Sequence, residues 1–195
     1  MFTKKEIQRQ SVHILLGVAL VILIYTELIS WHHLLIGAGM VFILSFFLSR
    51  GRKVPFQSII AHLQRKDEKE GMHLKGLFFY LMGSTFAVLL FEKEVALGAI
   101  LILAFGDSIS RLAGPYGFLK HPFNNQKFID GIIAGIIAAT IAAWAFVPIG
   151  AAFLASAGAM IIEGLDIRIN QFKIDDNLTI PLVSGFILHL LLYTL

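Results

Sequence analysis

Seven blocks of apolar residues, each close to the length that crosses a bilayer, constrain this chain more than any other feature of it. A helix needs roughly 20 mainly apolar residues to cross about 30 Å of hydrocarbon. The blocks are Val12–Ile29, Trp31–Ser49, Leu74–Phe91, Val95–Ala113, Ile129–Val147, Pro148–Leu165 and Leu178–Leu195. Composition agrees, at 57% hydrophobic against 15% charged residues. A soluble domain holds about 45–50% apolar and about 25% charged residues. The chain has no cysteine, which excludes a disulfide-stapled secreted domain. The expected fold is all-α: a polytopic membrane protein of about seven transmembrane helices, forming one domain over residues 1–195.

The basic residues orient the blocks, because Lys and Arg collect on the cytoplasmic side of membrane proteins. With seven spans, fifteen of the sixteen basic residues fall on one side and only Lys93 falls on the other. The expected amino terminus is therefore cytoplasmic and the carboxyl terminus outside. In the second connection, Phe56, Ile59, Ile60 and Leu63 follow Pro55 at helical spacing. Pro55–Gln64 reads as a short amphipathic helix on the membrane surface, with Arg50, Arg52, Lys53, Arg65 and Lys66 turned to anionic headgroups. In the fifth block, Gly131, Gly135, Ala139 and Ala143 recur every four residues. Such a stripe lets helix backbones approach closely, and the small-residue-rich sixth block is its expected partner.

Ionisable groups inside spans are costly and usually functional. Asp107 follows a 12-residue apolar run, which puts it about 18 Å along its helix, toward the cytoplasm. Glu163 stands 15 residues after Pro148, about 22 Å along in the same direction. His13 lies about one turn inside the first block, near Arg9. Asp175, Asp176 and Asn177 precede the last block, and Lys127 and Asp130 open the fifth. The topology brings all of these to one depth. Carboxylates with Lys127, Arg9 and His13 suit a divalent cation and a polyphosphate. Taken singly, each has a plainer reading: Asp175–Asp176 as a capping turn, His13 as a packed histidine, Asp107 and Glu163 as ion-pair partners of Arg9 or Arg111. There is no HExxH, GxSxG, P-loop or protein-kinase motif, so zinc, acyl-enzyme and P-loop chemistry have no visible seat.

Three strings resemble the CTP-dependent polyprenol kinase family, which includes dolichol kinases, phytol kinases and CTP-dependent diacylglycerol kinases. Glu6, Arg9, Gln10 and His13, then Gly17, are similar to E-x-x-R-K-x-x-H-x-x-x-G, with Gln10 where the family has lysine. Gly106, Asp107, Gly114 and Gly117, then Lys120, resemble its G-D segment. Lys127, Asp130 and Gly131 are similar to K-[ST]-x-E-G, with Phe128 and Asp130 as departures. Glu163 and the run Asp175-Asp176-Asn177-Leu178-Thr179-Ile180-Pro181 complete the third string.

The resemblance implies transfer of the γ-phosphate of CTP to the hydroxyl of a membrane isoprenoid alcohol, giving a lipid monophosphate and CDP. Mg²⁺ or another divalent cation is then required. The acceptor could also be diacylglycerol, phytol or geranylgeraniol. Asp107, Asp175 and Asp176 are the expected metal contacts, and one of these or Glu163 the general base. Arg9, His13, Gly114, Gly117, Lys120, Lys127 and Asn177 are the expected nucleotide contacts. The expected partners are CTP, the lipid alcohol and the bilayer, and no nucleic acid. The expected location is a prokaryotic plasma membrane with the site on the cytoplasmic side. A lipid cytidylyltransferase, transferring CMP instead, is the related alternative. A transporter is the alternative of another class, and would need charge lining a path through the midplane.

Overall fold

The computed structural model describes residues 4–52, 54, 72–122, 124–165, 168–169 and 172–194. The expected surface helix Pro55–Gln64 lies outside the described residues. Seven apolar helices follow the seven blocks. They are α1 (Lys4–Tyr25), α2 (Trp31–Ser49), α3 (Lys75–Leu90), α4 (Lys93–Tyr116), α5 (Ile129–Ala143), α6 (Ile149–Gly164) and α7 (Asp176–Thr194). Among them α1, α2, α4 and α7 are long and apolar enough to cross a membrane. The other three run 15 or 16 residues, about 22–24 Å at the helical rise, less than the hydrocarbon core.

α4 is the axis of the bundle. In its apolar window 78% of residues are buried, against 17% for α2. α1, α3, α5, α6 and α7 pack around α4, while α2 rests on α3. The outward faces are apolar: Ile133, Ile137 and Ile141 on α5 are exposed, as are Phe153, Leu154 and Ile161 on α6 and Ile36, Met40 and Phe42 on α2. Water would not tolerate so continuous an apolar surface, and lipid solvates it. The class is thus an α-helical membrane protein.

Small residues set the closest approaches. A side chain on Gly135 would run into the Gly106 carbonyl oxygen at 2.8 Å, and one on Gly131 into the Ser110 carbonyl oxygen at 2.7 Å. The glycines of the stripe therefore face α4, and the sixth helix, expected as their partner, meets this stripe through the Met160 side chain. The reason is that α4, buried on all sides, needs a neighbour whose backbone can come close. On the far side, a side chain on Gly83 of α3 would strike the Asn177 carbonyl oxygen and the Pro181 ring of α7. Pro181 has no N–H to offer the Asn177 carbonyl one turn earlier, so α3 can pack against that opened turn.

Two short antiparallel pairs interrupt the all-helical plan. β1 (Lys120–His121) pairs with β2 (Asn124–Phe128), and β3 (Arg168–Ile169) with β4 (Phe172–Lys173). They occupy the connections α4–α5 and α6–α7, where pairing satisfies backbone groups that a bare loop would leave open. The sequence reading had no strands here, because the pairs are only two to five residues long.

Candidate functional site

The site gathers at the end of the bundle where α1, α3 and α7 begin and α4 and α6 end. α4 widens into a π turn over Ile102–Asp107. Such turns frequently stand at functional sites, and this one shifts the phase of the helix before Asp107. Asp107 is fully buried and Glu163 and Asp176 nearly so. One carboxylate oxygen from each lies within 4.8 Å of the others.

Two cations clasp these carboxylates. Arg111 Nε donates to Asp107 Oδ1 at 2.6 Å, and its Nη2 donates to Asp176 Oδ2 at 3.1 Å. Lys127 Nζ donates to Glu163 Oε1 at 2.5 Å and to the Glu163 backbone carbonyl at 2.5 Å. It also stands 4.0 Å from Asp176 Oδ2. The carbonyl is one of those that a helix end leaves without an intrahelical donor, so Lys127 closes α6 and neutralises its carboxylate together. β2 delivers Lys127 to that point. The hairpin is tied down where Asp130 Oδ2 accepts from the Leu119 amide at 2.9 Å and Ile129 N donates to the Leu119 carbonyl at 2.8 Å.

His13 Nε2 lies 3.9 Å from Asp107 Oδ2. Its ring meets Tyr80 edge to face, with centroids 4.5 Å apart. Gly17, one turn along, lies where a side chain would collide with Ala104 and the Tyr80 hydroxyl. Arg9 donates to Glu6 Oε1 at 2.6 Å and the buried Gln10 amide donates to the same oxygen at 2.7 Å. Glu6 thus organises the first turns of α1 around its carboxylate.

The two adjacent aspartates part company. Asp176 joins the carboxylate group, whereas Asp175 caps α7, its Oδ1 accepting from Asn177 N at 3.1 Å. Its Oδ2 lies 3.9 Å from Lys75 Nζ. Asn177 Nδ2 donates to the Gly76 carbonyl at 3.0 Å, tying α7 to the start of α3. Gly114 is buried in the last turn of α4 beside Gly131. Gly117 closes a 3₁₀ turn by donating to the Gly114 carbonyl at 2.8 Å, and a side chain there would meet Asp130. Lys120 is exposed on β1.

The structure thus brings Asp107, Glu163, Asp176, Lys127 and His13 together, with Arg9 at the same end of the bundle. It sets Asp175 and Asn177 at a helix junction and Lys120 at the surface. Arg111 is the residue that sequence reasoning undervalued, as nothing more than an ion-pair partner. Its spacing of four from Asp107 was the available signal.

Three buried carboxylates offer hard oxygen ligands of the kind that divalent Mg²⁺ or Ca²⁺ prefer. Glu163 Oε2 is buried with no hydrogen-bond donor among the described residues, a state that costs free energy unless a cation or ligand answers it. The residues fit a divalent cation. At the other end of the bundle Lys93 pairs with Glu27 at 2.8 Å, and His189 Nδ1 lies 2.8 Å from Glu92 Oε2.

No family model and no solved structure matches the chain. An uncharacterized protein of Methanocaldococcus jannaschii is 29% identical over 190 residues, covering 95% of this chain and 93% of that protein. The CTP-dependent diacylglycerol kinase 1 of Saccharomyces cerevisiae is 27% identical over 225 aligned positions, covering 98% of this chain and 75% of the yeast protein. The protein of the same name in Schizosaccharomyces pombe is 24% identical over 152 positions, covering 70% of this chain and 68% of that protein.

Proposed function

We propose that the chain is a CTP-dependent lipid kinase, acting from one integral-membrane catalytic domain. The observation that carries this is the similarity to the yeast CTP-dependent diacylglycerol kinase over 98% of the chain. The buried group of Asp107, Glu163 and Asp176 with Arg111 and Lys127 supports it, because phosphoryl transfer asks chiefly for positioning and charge neutralisation.

In this reading the lipid hydroxyl oxygen attacks the γ-phosphorus of CTP. The bond from that phosphorus to the β-phosphate oxygen breaks, CDP leaves, and the hydroxyl proton passes to a carboxylate of the site. Lys127 and Arg111 take phosphate oxygens, with Arg9 and His13 alongside, and Lys120 reaches a more exposed part of the nucleotide. The turn from Gly114 to Gly117, at the end of α4, borders the nucleotide. A divalent cation held by Asp107, Glu163 and Asp176 would neutralise charge on the transferring phosphate. This set has Glu163 where the sequence-based set had Asp175, since the Asp175 side chain caps α7.

The seven helices are taken as seven spans, the shorter ones reaching the interface through their connections. The site then lies on the cytoplasmic side, the side that fifteen of sixteen basic residues mark. A soluble nucleotide and a hydroxyl at headgroup depth can meet there. The acceptor we favour is an isoprenoid alcohol, which the motif resemblance carries. Diacylglycerol is the second reading, favoured by the names of the fungal relatives.

The test is phosphoryl transfer by the purified protein in liposomes, with CTP labelled in the γ-phosphate and Mg²⁺. Polyprenol, phytol, geranylgeraniol and diacylglycerol are offered in parallel, with ATP as the donor control. Label in one lipid establishes the kinase and names its acceptor. Label that reaches a lipid phosphate only from the α-phosphate position would mean a cytidylyltransferase instead. No transfer in either arm from well-folded protein would sink the enzymatic reading.

A further inference from the structure

Each carboxylate of the buried group is already answered by a fixed cation. Arg111 spans Asp107 at 2.6 Å and Asp176 at 3.1 Å, and Lys127 holds Glu163 at 2.5 Å while reaching Asp176 at 4.0 Å. The side chains of Arg111 and Lys127 are 24% and 17% exposed, so solvent screens them poorly. A divalent ion arriving alone would meet Arg111 and Lys127 beside the three carboxylates at low dielectric, where repulsion from the two cations offsets much of the attraction of the carboxylates. It would also have to compete for oxygens that already accept strong charge-assisted hydrogen bonds. Two carboxylate oxygens of the group, Asp107 Oδ2 and Glu163 Oε2, are buried without a hydrogen-bond donor among the described residues, Asp107 Oδ2 facing His13 Nε2 at 3.9 Å, and two oxygens are still far short of the shell such an ion needs.

We propose that Arg111 and Lys127 keep the metal position closed, and that a divalent cation enters it only together with the phosphates of a nucleotide. Phosphate oxygens give Arg111 a bidentate partner and Lys127 a point charge. Both cations then turn from the carboxylates toward the phosphates. Asp107, Glu163 and Asp176 are left facing the metal, and the phosphate oxygens help complete its shell. Arg111 becomes a gate as well as an anchor, a role that its place four residues after Asp107 does not reveal. The proposal rests on the kinase reading for the nature of the anion, but the closure itself is a property of the charges in the structure.

The experiment is Mn²⁺ titration of the detergent-purified protein, followed by loss of the free-ion electron paramagnetic resonance signal. It is run with and without CDP, and CDP alone supplies the correction for Mn²⁺ held in solution. Mn²⁺ is expected to bind at least about tenfold more tightly with CDP present, and by linkage Mn²⁺ tightens CDP by the same factor. Lys127→Met is expected to strengthen the binding of Mn²⁺ alone, while Lys127→Arg, which keeps a cation, leaves it weak. Misfolding would not produce tighter binding, so a gain in the Met variant reads the gate directly. Equal Mn²⁺ affinity with and without CDP, or no gain in Lys127→Met, overturns the proposal. Lipid labelling from CTP alongside ungated Mn²⁺ binding would leave the kinase standing and remove only the gate. A gain in Lys127→Met without lipid labelling would do the reverse.

Discussion

Lys127 donates twice to Glu163, at 2.5 Å to the side-chain carboxylate and at 2.5 Å to the backbone carbonyl near the end of α6. One ammonium group therefore satisfies a helix end and a buried carboxylate 36 residues away. Removing it leaves the buried Glu163 carboxyl without its cation and the α6 carbonyl without its donor. Breaking a buried pair in this way typically costs about 3–5 kcal/mol. Lys127→Met is expected to lower the melting temperature clearly in detergent. The double variant Lys127→Met with Glu163→Gln should recover much of that loss without recovering lipid phosphorylation. Wild-type melting of the single variant would mean that the pair does not hold α6.

Asp107 and Asp175 are both carboxylates of the sequence-based metal set, and the structure gives them different surroundings. Asp107→Asn is expected to reduce kcat by at least about 100-fold, the scale of losing one charge aimed at a developing transition state. Asparagine is as good an N-cap as aspartate, so Asp175→Asn should lose much less. Turnover of both variants, measured on protein that elutes as a single species in size exclusion, decides between them. An equal and large loss would return Asp175 to the metal set.

The approach of α5 to α4 depends on the absence of side chains at Gly131 and Gly135. Leucine at Gly135 must push against the Gly106 backbone, and overpacking of this kind typically costs about 1–3 kcal/mol. Gly135→Leu should lower the melting temperature and, because α4 carries Asp107 and Arg111, lower turnover as well. Gly150→Ala is the control, since nothing lies within 4 Å of a side chain there. Thermal melts of the two variants in parallel check this, and equal behaviour would refute the close packing.

Glu27 lies beyond the end of α1, and its hydrogen bond with Lys93, reinforced by the charge of that lysine, holds its carboxyl below the ordinary 4.5. A lowered carboxylate pKa contributes stability that is present above the unfolded value and is lost as pH falls through the folded one. Because Glu27 is exposed, the contribution is small. The expected result is an acid limb of melting temperature, below about pH 4.5, that is shallower in Glu27→Gln than in the wild type. An unchanged limb would mean that the pair adds nothing.

The membrane class, the positions of the seven helices and the end of the bundle where the candidate residues gather were legible in the sequence. Hydropathy acts along the chain, and a run of apolar residues declares itself without reference to any other run. Positive charge is read in the same local way. What the sequence left open was the rotation of each helix. In a soluble helix the polar face marks the outside, but here lipid and core are both apolar, so periodicity hardly tells one face from the other.

Tertiary structure therefore made the finer choices. It turned Asp176 inward and set Asp175 as a cap, although the two are neighbours in sequence. It aimed the glycines of α5 at α4, with α6 meeting them through Met160. It placed Arg111 between Asp107 and Asp176, a partner 65 residues away. Each of these depends on how helices cross and on the π turn that shifts the phase of α4, and crossings are set by which backbones can approach closely. Sequence by itself determined that polar groups would meet at one edge of the bundle. Only packing decided which oxygen faces which cation.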